Sequence, residues 1–162
     1  MKYLVFGGGG QVALHFAKTA ITKGHEVVSV VRDDSQCVPI PLHSAYDRGL
    51  TSSNSELEKI GAKPEILSIE EATVTQLTSL LKSTKADGVL FAAGAGGKGD
   101  PGRVRRVNYE GAVKVYDAME AGNVKRLVLI GAVDIRDRSK GWPEWYDEDD
   151  SGSIDTSCTR AS

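Results

Sequence analysis

The sequence predicts an α/β fold: a doubly wound parallel sheet of the Rossmann type, with about five strands in the order 3-2-1-4-5. Three observations predict it. The chain opens on an apolar run, Lys2-Tyr3-Leu4-Val5-Phe6, that breaks into four glycines, Gly7 to Gly10, and then into a helical pattern. Short β-branched runs then alternate with stretches of helical periodicity, the signature of parallel βαβ units with right-handed crossovers. A second glycine cluster, Gly94-Ala95-Gly96-Gly97, follows the fourth strand. In such a sheet a ligand sits beyond the carboxyl ends of the strands where the order reverses, here between strands 1 and 4. The two glycine loops end those two strands, so separate features converge on one place.

The elements follow in order. Residues 10–23 place Val12, Phe16 and Ala20 at helical spacing and stop at Gly24. Val27-Val28-Ser29-Val30-Val31 is a buried strand with Arg32 and Asp33 at its carboxyl end. Residues 56–60 are a brief helix stopped by Gly61, and Glu65-Ile66-Leu67-Ser68-Ile69 is the third strand. Thr73 to Ser83 carries Val74, Leu77, Leu80 and Leu81 on one helical face. Gly88 to Ala93 is the fourth strand. Arg103 to Glu120 is a helix with Val107, Val113, Val115 and Met119 on a broad apolar face, capped by Gly122. Arg126 to Ile130 is the fifth strand.

Two stretches depart from this pattern. Residues 33–55, with Pro39, Pro41 and Gly49, are far longer than the usual link of about 2–6 residues. Beyond Asp134 the apolar periodicity fails. The reading is one domain over 1–146 and an acidic, polar tail over 147–162 that is expected to be disordered.

At 162 residues the chain is long enough to bury roughly 70% of its unfolded surface. Its net charge of −2 points to neither nucleic acid nor a membrane surface as partner. No apolar stretch is long enough to span a bilayer, and the amino terminus runs directly into a strand. Cys37 and Cys158 are isolated, and His15, His25 and His43 lack metal spacing, so no metal site and a reduced, cytoplasmic setting are expected.

The glycine turn carries the chemistry. Read from Gly8 it is G-x-G-x-x-A; read from Gly7 it is G-x-x-G-x-x-A, ending on Ala13 in both cases. One glycine permits the sharp turn, and another lets the backbone approach a pyrophosphate. The small residue brings helix and strand together, and the helix amino terminus offers N–H groups and partial positive charge. Arg32, at the end of strand 2, suits the 2′-phosphate of NADP; a carboxylate there would suit a free ribose hydroxyl. NADP is therefore expected before NAD, although Asp33 and Asp34 argue for NAD and a solvated Arg32 is the alternative.

These segments, together with Phe91 to Lys98 and Val107-Asn108-Tyr109-Glu110-Gly111-Ala112, resemble the atypical short-chain dehydrogenase/reductases, most closely the NAD(P)H-binding, NmrA-like subgroup. The resemblance runs from residue 1 to about 148. It implies a pyrophosphate lined by Gly7, Gly10, Gln11 and Val12, with Gly9 also binding the cofactor, and a 2′-phosphate at Arg32. It implies an adenine bordered by Ser68 and Ile69, and Ala92, Ala93 and Gly94 beneath the ribose. Lys98 would contact a phosphate or be solvated. The chain departs from the wider family in three respects: none of Tyr3, Tyr46, Tyr109, Tyr116 and Tyr146 has a lysine four residues on, Gly131-Ala132 stands where a serine often ends strand 5, and the later strands and helices that build the family's substrate pocket are not expected in it. The catalytic residues are therefore unknown. Gly94 to Gly99 is not a P-loop, since no Ser or Thr follows Lys98. Arg103, Arg105 and Arg106 at a helix start call for a nearby anion, and surface salt bridges are favoured over a ligand. Trp142-Pro143-Glu144-Trp145-Tyr146 is either a partner patch or an element lacking its packing partner.

The resulting expectation is an NADP-binding protein, an oxidoreductase on an unidentified small molecule. The alternatives are a non-catalytic dinucleotide sensor and an inactive truncated product. Strand 5 carries the apolar run Leu127-Val128-Leu129-Ile130 and invites self-association.

Overall fold

Five strands form one parallel sheet in the order β3-β2-β1-β4-β5, as the sequence predicts. They are β1 (Lys2–Phe6), β2 (Glu26–Val31), β3 (Lys63–Ile66), β4 (Gly88–Phe91) and β5 (Leu127–Leu129). The computed structural model describes residues 1–32, 54–95 and 101–131. The long link after strand 2 from residue 33 to 53 lies outside them. So do Lys98, the Trp142 cluster and the polar tail.

The central strands read as continuous apolar runs because both of their faces are covered. In β1, β2 and β4 successive side chains point to opposite faces. Leu4, Phe6, Val28, Val30, Val89 and Phe91 form one core with Leu77, Leu81, Val115, Ala118 and Met119. Val5, Val27, Val31 and Leu90 form the other, with Ala13, Ala17, Ala20 and Leu57. The first core is covered by α3 (Val74–Thr84) and α5 (Gly111–Ala121), the second by α1 (Gln11–Thr22) and α2 (Asn54–Lys59). Ala13, Ala17 and Ala20 recur every three or four residues, so α1 lays its smallest side chains on the sheet.

Three sequence expectations shift. The third strand lies at 63–66 instead of 65–69, because pairing with β2 sets it: Val28 to Val31 stand beside Lys63 to Ile66. The apolar Leu67 and Ile69 pack on the core from the segment after the strand, Leu67 with its amide still donating to Val31 O at 2.8 Å. Pro64 is tolerated because β3 is an edge. The helix expected over 103–120 is three consecutive pieces: α4 (Pro101–Val104), a π-helical segment (Arg105–Glu110) and α5. Val113, expected to face the core, is exposed, whereas Val107, Val115 and Met119 are buried.

Candidate functional site

The first glycine turn joins β1 to α1 at the reversal point of the sheet. Gly7 has φ +79°, and a Cβ there would lie 2.7 Å from the Ala92 carbonyl group and from Ala93 Cα. The turn therefore presses on the segment leaving β4, and only glycine meets both demands. At Gly8 a Cβ would lie 2.7 Å from Ser29 Cβ on β2. The Gly8 amide donates to Val30 O at 2.9 Å, and the Gly10 amide donates to Gly7 O at 2.9 Å. Gly10 differs from both: its backbone is ordinary, and a Cβ would meet only Gly7 O at 3.3 Å. Gly9 is buried within the turn.

Gly10 is the N-cap of α1. No side chain caps this end, and its first turn holds no acidic residue. The helix thus presents its leading N–H groups and its positive dipole end unmasked. Gln11 and Val12 stand there, both exposed, Val12 by 52%. An exposed valine thus stands beside uncapped amides, with Ala13 buried behind it.

The backbone leaving β4 forms the opposite wall. Ala92 packs toward one core and Ala93 toward the other, and Gly94 is exposed. The Ala95 amide donates to Asn108 Oδ1 at 3.1 Å, and Arg103 Nη1 donates to Ala95 O at 3.5 Å. The helix that follows β4 therefore holds this loop through both the N–H and the C=O of Ala95. Asn108 lies in the π-helical segment, a local widening often met at functional sites.

Arg32 follows β2 directly and is exposed. Its Nη1 lies 3.9 Å from Glu70 Oε1. The same carboxylate takes Arg103 Nε at 3.1 Å and Arg106 Nε at 3.8 Å. The anion that the basic helix start calls for is thus supplied by Glu70; Arg105 pairs instead with Glu110 at 3.2 Å. Ser68 and Ile69 lie past the end of β3. Ser68 O accepts from the Glu71 and Ala72 amides. Ile69 packs on the core, and a Cβ on Gly111 would lie 3.3 Å from its Cγ1. Lys114 fixes this turn: its Nζ donates to the carbonyls of Ile69, Glu70 and Ala72 at 3.0, 2.9 and 3.1 Å.

The structure brings Gly7, Gly9, Gly10, Gln11, Val12, Ala92, Ala93 and Gly94 to the β1–β4 crevice. Arg32, Ser68 and Ile69 sit at the ends of the neighbouring strands. Lys98 lies outside the described residues. Sequence reading attached no role to Glu70, Asn108 or Lys114; the V-N-x-x-G-A stretch around Asn108 was the available signal. Glu26 is held below the usual carboxylate value by its hydrogen bond and ion pair with Lys2, at the opposite, amino end of the sheet. Among the described residues no group of three or more His, Cys, Asp or Glu could hold a metal, and no helix is long and apolar enough to cross a membrane.

A model of the protein family described as NAD(P)H-binding matches residues 7–155. The chain belongs to that NAD(P)H-binding family. Its membership agrees with the resemblance to atypical short-chain dehydrogenase/reductases. The UPF0659 protein C216.03 of Schizosaccharomyces pombe is 43% identical over 144 residues, covering 89% of this chain and 51% of that protein. A solved structure from Bacillus halodurans, described as an NAD-dependent epimerase/dehydratase, superposes with TM-score 0.67 and 27% identity, over 87% of this chain and 56% of its own. The UDP-glucose-4-epimerase of Stenotrophomonas maltophila, solved with bound NAD, shares the fold at TM-score 0.60 and 24% identity, over 80% of this chain and 36% of its own. This NAD(P)H-binding chain spans between half and three-fifths of the length of the curated relatives it matches.

Proposed function

We propose that this chain binds NADP(H), and that it serves an oxidoreductase acting on an unidentified small molecule. The observation that carries the cofactor choice is Arg32, an exposed guanidinium at the carboxyl end of β2, one strand from the open glycine turn. The residues present suit the group. Gly7, Gly9 and Gly10 leave a cradle without side chains, and the uncapped start of α1 at Gln11 and Val12 would take the pyrophosphate. Arg32 would take the 2′-phosphate through charge-assisted hydrogen bonds. Ser68 and Ile69 would border the adenine, with Ala92, Ala93 and Gly94 beneath the ribose and Lys98 close to a phosphate. A bound nicotinamide would supply hydride transfer. Asn108 and Arg103 would hold the Ala95 backbone in place.

A second reading has its own observation. The chain contains no Tyr-x-x-x-Lys pair, which favours a dinucleotide sensor whose occupancy alters contact with a partner. Turnover of NADPH against aldehydes, ketones and quinones separates the two readings. Two isolated cysteines suit a cytoplasmic setting, and the place of β5 at the edge of the described sheet suits self-association.

Calorimetric titration with NADPH and NADH tests the cofactor assignment. Hydrogen bonds to charged groups contribute about 1.5–3 kcal/mol, so Arg32→Ala is expected to weaken NADPH at least tenfold and to spare NADH. Equal losses for both cofactors would assign Arg32 a structural role instead.

A further inference from the structure

Glu70 is the meeting point of three guanidinium groups drawn from three parts of the chain. Arg32 comes from the end of β2, Arg103 from α4 and Arg106 from the π-helical segment. The three contacts are unequal. Arg103 Nε is at 3.1 Å, whereas Arg106 Nε and Arg32 Nη1 are at 3.8 and 3.9 Å. Glu70 has 20% of its side chain exposed and Arg32 has 46%. The backbone beneath the carboxylate is pinned by the three carbonyl contacts of Lys114. Glu70 therefore stays at the mouth of the site, held firmly by Arg103 and loosely by Arg32.

Guanidinium groups bind carboxylates and phosphates through the same donors. A phosphate arriving at Arg32 competes with the carboxylate already there, and any charge left on Glu70 repels it. We propose that Glu70 is an internal stand-in for the 2′-phosphate of NADP(H): it engages Arg32 while that phosphate is absent, yields it on binding, and so sets how strongly NADPH is preferred over NADH. The inference rests on the reading that Arg32 receives the 2′-phosphate. It adds a specificity-determining residue from the turn between β3 and α3. Its sense is opposite to that of an ordinary binding residue, because removing the Glu70 charge should tighten the phosphorylated cofactor.

The test is titration of the full chain and of Glu70→Gln with NADPH, NADH, adenosine 2′,5′-bisphosphate and 5′-AMP. Glutamine keeps an oxygen acceptor for Arg103 and leaves the Lys114 contacts in place. The expected result is roughly tenfold tighter binding of NADPH and of the bisphosphate, the size of one charge-assisted contact, with NADH and 5′-AMP unchanged. Combining the change with Arg32→Ala should remove the gain. Glu70→Asp, which keeps the charge but withdraws it from Arg32, is expected to tighten NADPH in the same sense and by less, and it serves should the glutamine variant melt early. Unchanged or weakened NADPH binding, or equal shifts for both cofactors, overturns the inference. Where Arg32→Ala weakens NADPH and spares NADH, the cofactor assignment stands even if the Glu70 inference falls. A parent chain that binds neither dinucleotide overturns both.

Discussion

Gly7 and Gly10 stand three residues apart in one turn, yet the backbone makes different demands on them. Gly7 combines φ +79° with a 2.7 Å approach to the Ala92–Ala93 backbone. Gly7→Ala should therefore cost at least about 2 kcal/mol, from left-handed strain plus steric displacement, read as a lower midpoint in urea unfolding. Gly10→Val should leave the midpoint almost unmoved and still abolish NADPH binding, because the branched side chain would stand where the pyrophosphate approaches. A folded Gly10→Val chain of parental affinity would remove the pyrophosphate from this turn. The sequence marked the cluster as functional from its setting between strand and helix. It could not divide the glycines between folding and binding, because their neighbours, Ala92, Ala93 and Ser29, lie between 20 and 90 positions away along the chain. Ser29 shows the same limit. Its hydroxyl is fully buried and has no hydrogen-bond partner among the described residues, and its small size matters only because Gly8 passes over it.

At the scale of elements, the two helix starts are built in opposite ways. Thr73 and Gln76 close the start of α3 with a reciprocal capping box. The start of α1 has no side-chain cap. A helix that only folds benefits from capping, and one that presents amides to an anion must leave them open. The turn between β3 and α3 depends on Lys114, a lysine on a different helix. Lys114→Met keeps the aliphatic stem and strands three carbonyls without their donor. It should cost about 2 kcal/mol, and amide hydrogen exchange should accelerate in 69–72 before it does in β1. Equal protection of both regions would show that the turn holds itself. This clamp was illegible in the sequence. A lone lysine in an amphipathic helix reads as solvated, and its partners stand 42 to 45 positions away. Strand placement failed at β3 for a related reason: apolarity favoured 65–69, whereas at a sheet edge the register with β2 decides.

For the molecule as a whole, the order of the strands was legible, because the alternation of strand and helix admits few right-handed arrangements. The character of the two sheet edges separates them sharply. Lys63, Pro64 and Glu65 guard β3 with charges and a residue that cannot donate. β5 presents Val128 and Leu129, 47% and 46% exposed, followed by Ile130 at 45%. Self-association through this edge is expected of the isolated chain, and Val128→Lys should oppose it. Sedimentation velocity should show concentration-dependent dimers or larger species for the parent and a shift to monomer for the variant, with little change in melting. A parent that stays monomeric across the range, or a variant that associates equally, would place the contact elsewhere.

A π turn carries one residue more than an α turn, so Arg105–Glu110 takes up an extra residue while the two ends of its helix stay in phase. Deleting one residue between Arg106 and Gly111 would let the whole stretch run on as plain α-helix. Because the π turn takes up the extra residue, Val115, Ala118 and Met119 would keep their seats in the core and Arg103 and Arg106 would keep their bearing toward Glu70. Such a deletion would be a frameshift that cancels in space: the fold and the arginine cluster would both still read correctly, and only the widened turn that carries Asn108 would be gone.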